Sequence, residues 1–587
     1  MIEKYYEDEL RYLYESGRQF AKAHPDRARF LNIDAVGDRD PYVERLFEGF
    51  AFLSGRIREK LDDSFPELTE SLINLMWPNF LQEMPSLTIA QFNPRPGFLQ
   101  DTRVLPRGSE LLSGQVGQEH AICKFTTTTD VRLNPIMLEK IEKSVTPAGK
   151  AQLKFHFVLG PGAQWKNLAI NPIRLYLHAE MPTALMLYDF LNGRVASCRI
   201  ICGSDQYSCD VDPSKAVSPC GFSAEESLIP LSSRSFQGYS LLLEYFAYPE
   251  KFLFVDFNGF DKVPFLDPSP SRFCFALTFN TDFPPDKSFT KDNFKLFCAP
   301  AANLFKKDVE PILNSGMETD YRVIADAAYP SSFQAHSIVS VVGIDRASGA
   351  RTAYAPVYSF SSSGQKHPRT YSWQYHRTPD NRRELSLLFG GELLSASKKS
   401  GSEIREENCT VVAYCTNGML PREEIQEGGI KSPGLDFPDF VTFSNITRPT
   451  PPLAPPSEEE YLWVFLSHLS STLTTLASPA SLKPLLRLYD WTGSEGRGRK
   501  IDAISDVNSR PVERIVNGSS IRGIEFSLAV AEANFIDIGD IRLFGELLKE
   551  FLAHYVSINT FLELVVVMKP SGTSLRWNSL KGKQWPI

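Results

Sequence analysis

The sequence has little of what nucleic-acid binders, membrane proteins and enzymes display. Lysine and arginine (62) fall short of aspartate and glutamate (70), leaving a net charge of −8 and no electrostatic footprint for a polyanion. No apolar run approaches the roughly 20 residues that span a bilayer. The opening MIEKYYEDELRYLYE is acidic and lacks the apolar centre of a secretory signal. A cytoplasmic protein is the expectation. The nine cysteines are scattered. Their one cluster, Cys198, Cys202, Cys209 and Cys220, holds no CxxC pair and fits no common zinc spacing. Cys123, Cys274 and Cys298 lie in apolar, strand-like segments, as small buried hydrophobes do.

Catalytic signatures are scarce too. None of the nine histidines falls in an HExxH arrangement, and no P-loop, GxGxxG turn or GxSxG elbow occurs. His156 and His178 fall on the polar sides of strands; His468 and His554 sit in helices beside Leu and Phe runs. The evident carboxylate pairs, Asp38 with Asp40 and Asp62 with Asp63, lie at predicted helix ends, where acids cap or are solvated. Trp491–Lys500 reads as a basic, glycine-containing loop without a strand-to-helix context. His367, Tyr371, Trp373, Tyr375, His376 and Arg377 read as an aromatic, Arg-bearing loop better suited to a protein partner than to a small molecule. Neither a metal nor a cofactor is expected.

What remains is a long, aromatic-rich chain. Its 587 residues exceed what one core serves, so several domains are expected. The patterning predicts a multidomain α+β protein with four segments: a helical segment at 1–84, a β-rich domain at 85–297, a second β-rich domain with long loops at 298–448, and an α+β domain at 449–587. Leu153, Phe155, Phe157 and Leu159 alternate with Gln152, Lys154 and His156, the period of a strand with one buried face. Ser86–Phe92, Ile173–His178, Tyr239–Phe246, Phe252–Phe257, Ser271–Phe279, Ile338–Ile344 and Thr410–Tyr414 are further strand candidates, and Met181–Leu191 a helix. Arg448–Pro456 is proline-rich, which predicts an extended, semi-rigid spacer. After it, Ser457 and Glu460 form a capping box for a helix carrying Leu462, Leu466, Leu469, Leu473 and Leu476. A short helix at Leu482–Tyr489, a helix at Asp540–Val556 and a strand at Phe561–Met568 close the chain.

The helical segment carries the most information. Residues 1–23 place Ile2, Tyr6, Leu10, Leu13, Gly17 and Phe20 on one face. Asp40 can cap a second helix that Pro41 begins. Val43, Leu46, Phe47, Phe50, Leu53, Ile57 and Leu61 recur three and four apart along it. Phe65–Pro66 breaks this helix. Leu68, Leu72, Ile73, Leu75 and Met76 start another, which Trp77–Pro78 ends. Val43, Leu46, Phe47, Phe50, Leu53, Ile57, Leu61, Leu72 and Trp77 are the candidate interface residues. Either they close an independent three-helix domain or they belong to a bundle completed by other chains.

Several long strings resemble one family. DRDPYVERLFEGFAFLSGRIREKLDDSFPELTESLINLMWPNFL resembles the N-terminal signature of TssF, the baseplate subunit of type VI secretion systems. VLPRGSELL (Val104–Leu112), APAANLFKKDVEPI (Ala299–Ile312), DYRVIAD (Asp320–Asp326), AYCTNGMLP (Ala413–Pro421), LWVFLSHLS, LLRLYD and FLAHYVSINTFLELVV match along the rest of the chain. Asn417-Gly418-Met419-Leu420-Pro421 departs from the family's Asn-Arg-Asp-Leu-Pro-like string. The resemblance implies a non-enzymatic wedge component, similar to those of contractile phage baseplates. Two copies would embrace one TssG subunit through a shared helical bundle. TssK, TssE and a spike hub would complete the assembly, docked at the inner-membrane complex. The rival reading from composition is a β-rich carbohydrate-binding or carbohydrate-active protein.

Overall fold

The computed structural model describes residues 2–23, 42, 44–58, 73, 80–95, 97–203, 207–231, 236–263, 271–284, 287–318, 320–357, 369–377, 383–390, 406–434, 437–456, 464–465, 472–516 and 519–583. Two compact units divide the chain: residues 1–81 with 457–467, and residues 82–456 with 468–587. The architecture is α+β and multidomain.

In the first unit, helix Ile2–Ala23 packs on the helical residues 44–58. Tyr14 meets Phe47 edge-on at 6.0 Å between ring centroids. Nine residues earlier in the first helix, the backbone of Tyr5 and Tyr6 faces Gly55. One index falls as the other rises, so the helices run antiparallel. A Cβ on Gly55 would lie 3.1 Å from the Tyr6 nitrogen; only a glycine lets the two backbones come this near. Arg58 pairs with Glu9 at 2.7 Å. Ile73 is buried, and Phe80 stacks on Phe465 at 3.9 Å. The expected cap at Asp40–Pro41, the Phe65–Pro66 break, the helix from Leu68 to Met76 apart from helical Ile73, the Trp77–Pro78 stop and the Ser457 capping box lie outside the described residues.

The second unit is built on a six-stranded sheet ordered Ile430–Pro433, Glu110–Val116, Ala121–Thr127, Cys298–Ala302, Leu87–Pro94, Val441–Asn445. Its strands come from three stretches of the chain, and the two stretches between them are domains of their own. The first insertion is a sandwich. A five-stranded sheet, ordered Tyr207–Val211, Val195–Cys202, Arg272–Phe279, Ala151–Leu159, Ile136–Val145, faces a four-stranded one containing Phe254–Phe257, Ile173–Leu177 and Phe294–Leu296. Phenylalanine fills the space between: Phe155 lies 4.9 Å from Phe257 and 5.1 Å from Phe294, and Phe257 stacks on Phe275 at 4.5 Å. The second insertion is an eight-stranded sheet with its own core around Val341, Leu387, Val411 and Ala413. Asn303 and Asn417, both buried, join it to the six-stranded sheet. Asn303 donates from Nδ2 to Asn417 Oδ1 at 2.8 Å, and Asn417 donates to the carbonyl of Ser332 at 2.9 Å.

The C-terminal part is a β-α-β arrangement. Strand Ser519–Ala531 lies parallel to Phe561–Lys569, with helix Ile538–Ala553 between them in sequence. That helix packs on Met181–Gly193, where Arg542 pairs with buried Asp189 at 2.6 Å.

The structure corrects several expectations. Tyr239–Phe246 is helix, within Gln237–Ala247, and Gly238 through Phe246 are all buried; a helix with no wet face shows no period that tells it from a buried strand. Glu495–Asp502, overlapping the expected basic loop at Trp491–Lys500, is also helix, and Lys500 there is largely buried, 2.6 Å from Asp540. Thr370–Arg377 is a strand whose Tyr371 is buried in the core of the eight-stranded sheet. Trp373 and Tyr375 pack against that core instead of forming a binding loop; His367 lies outside the described residues. Leu473 and Leu476 sit in a separate four-residue helix that Thr472 caps from an extended conformation, so no single helix carries the whole leucine series. The proline-rich stretch is extended as expected but laced down: Thr450 donates to the Leu87 carbonyl at 2.9 Å, and Leu453 to that of Met84 at 2.9 Å.

Candidate interface on the N-terminal helix pair

Residues 44–58 split their faces unequally. Ala51 and Gly55 are buried towards helix Ile2–Ala23, which the small side chains allow to come close. Leu46 is 70% exposed, Phe50 60%, Leu53 60% and Ile57 62%. Their spacing of four, three and four residues puts them on one stripe. Phe47 is half-buried against Tyr14. Tyr42 and Phe52 add exposed aromatic surface. Of the remaining candidates, Val43, Leu61, Leu72 and Trp77 lie outside the described residues. Of the periodic apolar residues, Leu46, Phe50, Leu53 and Ile57 thus mark a face turned away from the neighbouring helix, whereas Phe47 turns towards it. Sequence reasoning missed Ala51 and Gly55 as the packing face, although a small residue four before a glycine is the available signal.

Several other chemistry-bearing groups among the described residues are tied up in the fold. A cleft of about 650 Å³ is lined by Val104, Asp130, Phe297 and three arginines. Arg107 donates to the carbonyls of Glu225 and Ser227 at 3.0 and 2.8 Å. Arg132 donates to the carbonyl of Asn171 at 2.8 Å. Arg174 grips Asp256 at 2.8 Å and Glu226 at 2.6 Å. Each guanidinium thereby holds the cleft wall in place. Beneath it, Glu244 and Lys251 form a buried ion pair, with the Glu244 carboxylate also accepting from Ser227 Oγ at 2.7 Å and the Leu228 amide at 2.9 Å. Burial pushes the thiols of Cys123, Cys198, Cys409 and Cys415 up to about 12, so they pack as neutral groups and are poor nucleophiles. Burial likewise holds the imidazoles of His336 and His554 down at about 4. Among the described residues, no three His, Cys, Asp or Glu side chains are placed to hold a metal ion, and no helix is long and apolar enough to cross a membrane.

Comparison with known proteins places this geometry. The family model for type VI secretion system TssF matches residues 1–584. The chain belongs to the TssF family. A curated TssF relative, type VI secretion system component TssF1 of Pseudomonas aeruginosa, is 30% identical, with 99% of this chain and 98% of that protein covered. A TssF-like fold occurs in the cryo-electron microscopy structure of a type VI TssK–TssF–TssG baseplate subcomplex. That match has a TM-score of 0.79 at 31% identity, over 93% of this chain and all of the other. A chain of a type VI baseplate complex matches at a TM-score of 0.65 and 31% identity over the whole of both chains. TssF is a baseplate component, and the α+β multidomain architecture is the family's own.

Proposed function

We propose that this chain is a non-enzymatic, structural subunit of a type VI baseplate wedge. In this reading two copies clasp one TssG-like subunit, and TssK-like and TssE-like subunits join them around the spike hub. The wedge docks from the cytoplasm at the inner-membrane complex. Leu46, Phe50, Leu53 and Ile57, with Val43, Leu61, Leu72 and Trp77, supply this chain's share of a helical bundle made with the other copy and the TssG-like subunit.

The observation that supports the reading is the exposed stripe itself. Four large apolar side chains on one helical face, each 60–70% exposed, form the kind of contiguous patch that marks a protein–protein contact. The opposite face already has its partner within the chain, so the stripe is surplus to the packing of the helix pair. Co-expression with a TssG-like subunit, followed by size-exclusion chromatography with mass determination, tests the proposal. A complex of two copies with one TssG-like subunit is expected. A chain that stays monomeric beside that subunit and binds glycans would overturn it in favour of the carbohydrate reading.

A further inference from the structure

Two segments of the larger unit, at Gln82–Met84 and Leu453–Pro456, adjoin the points where the chain passes to residues 1–81 and 457–467. They form a short antiparallel ribbon. Met84 donates to the Leu453 carbonyl at 2.8 Å, and Leu453 donates back at 2.9 Å. Deeper in, Thr450 donates to the Leu87 carbonyl at 2.9 Å, and the Leu87 amide donates to Thr450 Oγ1 at 3.0 Å. The Ile89 amide then bonds Thr447 Oγ1 at 2.9 Å, and Ile446 donates to the Ile89 carbonyl at 2.8 Å. Because the ribbon is antiparallel, both of its strands leave by the same end. Separation that starts at that end meets the Met84–Leu453 pair first and the bonds of Leu87 and Ile89 after it.

A buried side chain from another sheet reaches that end. His336 is 4% exposed, and its Nε2 lies 2.7 Å from the carbonyl oxygen of Glu83. A carbonyl can only accept, so Nε2 carries the proton. Nδ1 lies 3.3 Å from Ser337 Oγ. The backbone of His336 is held in turn by Tyr375, whose hydroxyl donates to its carbonyl at 2.5 Å. His336 sits on strand Gln334–Asp345 of the eight-stranded sheet, whereas the ribbon continues into the six-stranded one. The bond therefore anchors the last residue before the Met84–Leu453 pair to a different domain from the one the ribbon enters.

We infer that His336 is a positioning residue that stops this ribbon from fraying and so fixes where the two connecting segments leave the β-rich unit. The inference rests on hydrogen-bond geometry and is independent of the assembly proposed above. Its function is mechanical: strain arriving along residues 82–83 meets a bond to buried imidazole before it reaches the ladder, and the Leu453 strand is held in turn through its pair with Met84. Hydrogen exchange of the full chain, read by mass spectrometry on peptides covering Met84 and Leu453, is the test. His336→Ala is expected to speed exchange there about tenfold or more, the scale of losing a buried hydrogen bond. Peptides over Leu87–Pro94 and Gln334–Asp345 should keep the parent rate. His336→Gln, which retains a side-chain N–H at similar reach, should restore most of the protection. Unchanged exchange at Met84 and Leu453 in His336→Ala would overturn the inference. So would an equal rise in all the peptides, or the absence of any rescue by glutamine, since both would mean that the imidazole fills space instead of guarding the ribbon.

Discussion

Changing Phe50 and Ile57 together to Asp separates an assembly face from an ordinary wet surface. Burying a whole Phe or Ile side chain stabilises by about 1.5–3 kcal/mol. These two are 60% and 62% exposed, so covering what is still open contributes about 1–2 kcal/mol each. A carboxylate carried into the same contact without a partner adds a desolvation cost of several kcal/mol. The double Asp variant should then lose at least about 6 kcal/mol of association energy, more than about 10⁴-fold in affinity. The isolated chain should hardly notice, because substitutions at exposed positions usually stay within about 0.5 kcal/mol. Phe50→Ala with Ile57→Ala removes the apolar area without adding charge, and should weaken assembly by about 2–4 kcal/mol. The assay is co-expression with the TssG-like subunit, size-exclusion with mass determination, and thermal melting of each chain alone. Complex of unchanged composition and yield from the double Asp variant, with an unchanged melt, would refute the reasoning. A collapsed melt would refute it differently, by showing that the stripe is core.

Three other outcomes follow from the interior. Glu244→Gln should destabilise the chain by about 3 kcal/mol in chemical denaturation, because it leaves the buried Lys251 ammonium without its counter-charge; a loss below about 1 kcal/mol would show the pair to be dispensable. Gly539→Ala should disrupt the docking of helix Ile538–Ala553, since a Cβ there would lie 2.0 Å from the Leu185 carbonyl oxygen; overpacking of this kind costs about 1–3 kcal/mol or more, and an unchanged melting temperature would contradict it. His336 should confer acid sensitivity. Burial holds its folded-state pKa at about 4 against about 6.5 unfolded, so its contribution is complete above about pH 6.5 and is lost as pH falls towards 4, when the unfolded chain alone takes up the proton. That amounts to about 3 kcal/mol. Urea titrations at pH 7 and pH 4.5 should show a smaller pH difference in His336→Gln than in the parent, and equal differences would reject the assignment.

Legibility varied with the kind of pattern. The strand Ala151–Leu159 was readable because one face is wet, and its alternation of buried and half-buried residues follows Leu153, Phe155 and Phe157. Gln237–Ala247 was not, because burial on every side erases the contrast that periodicity depends on. Thr370–Arg377 was misread for the opposite reason: its aromatic and charged residues have the composition of a binding loop, while Tyr371 serves as core. The stripe Leu46, Phe50, Leu53 and Ile57 was visible as a period, but a period cannot say whether a face looks inward or outward. That was decided by Ala51 and Gly55, whose small size lets the other helix settle on their side.

By itself, then, the sequence determined local matters: where the most strongly patterned elements run, such as the strand Ala151–Leu159 and the helix Ile538–Ala553, that no familiar catalytic or metal motif is present, and, through long ordered strings, a likeness to TssF that the whole-chain match bears out. These depend on neighbours in the chain or on strings specific enough to stand alone. Tertiary structure decided which strands share a sheet and which side of a helix is left uncovered. Leu87–Pro94 pairs with Cys298–Ala302 and with Val441–Asn445, partners more than two hundred residues away that no local pattern announces. Two domains are inserted between the strands of that one sheet, and the ribbon at Met84 and Leu453 with its His336 anchor exists only because the sheet brings distant segments together. The physical reason is the same throughout: hydrogen-bond ladders and buried faces are satisfied in space, and only short-range choices leave their mark on consecutive residues.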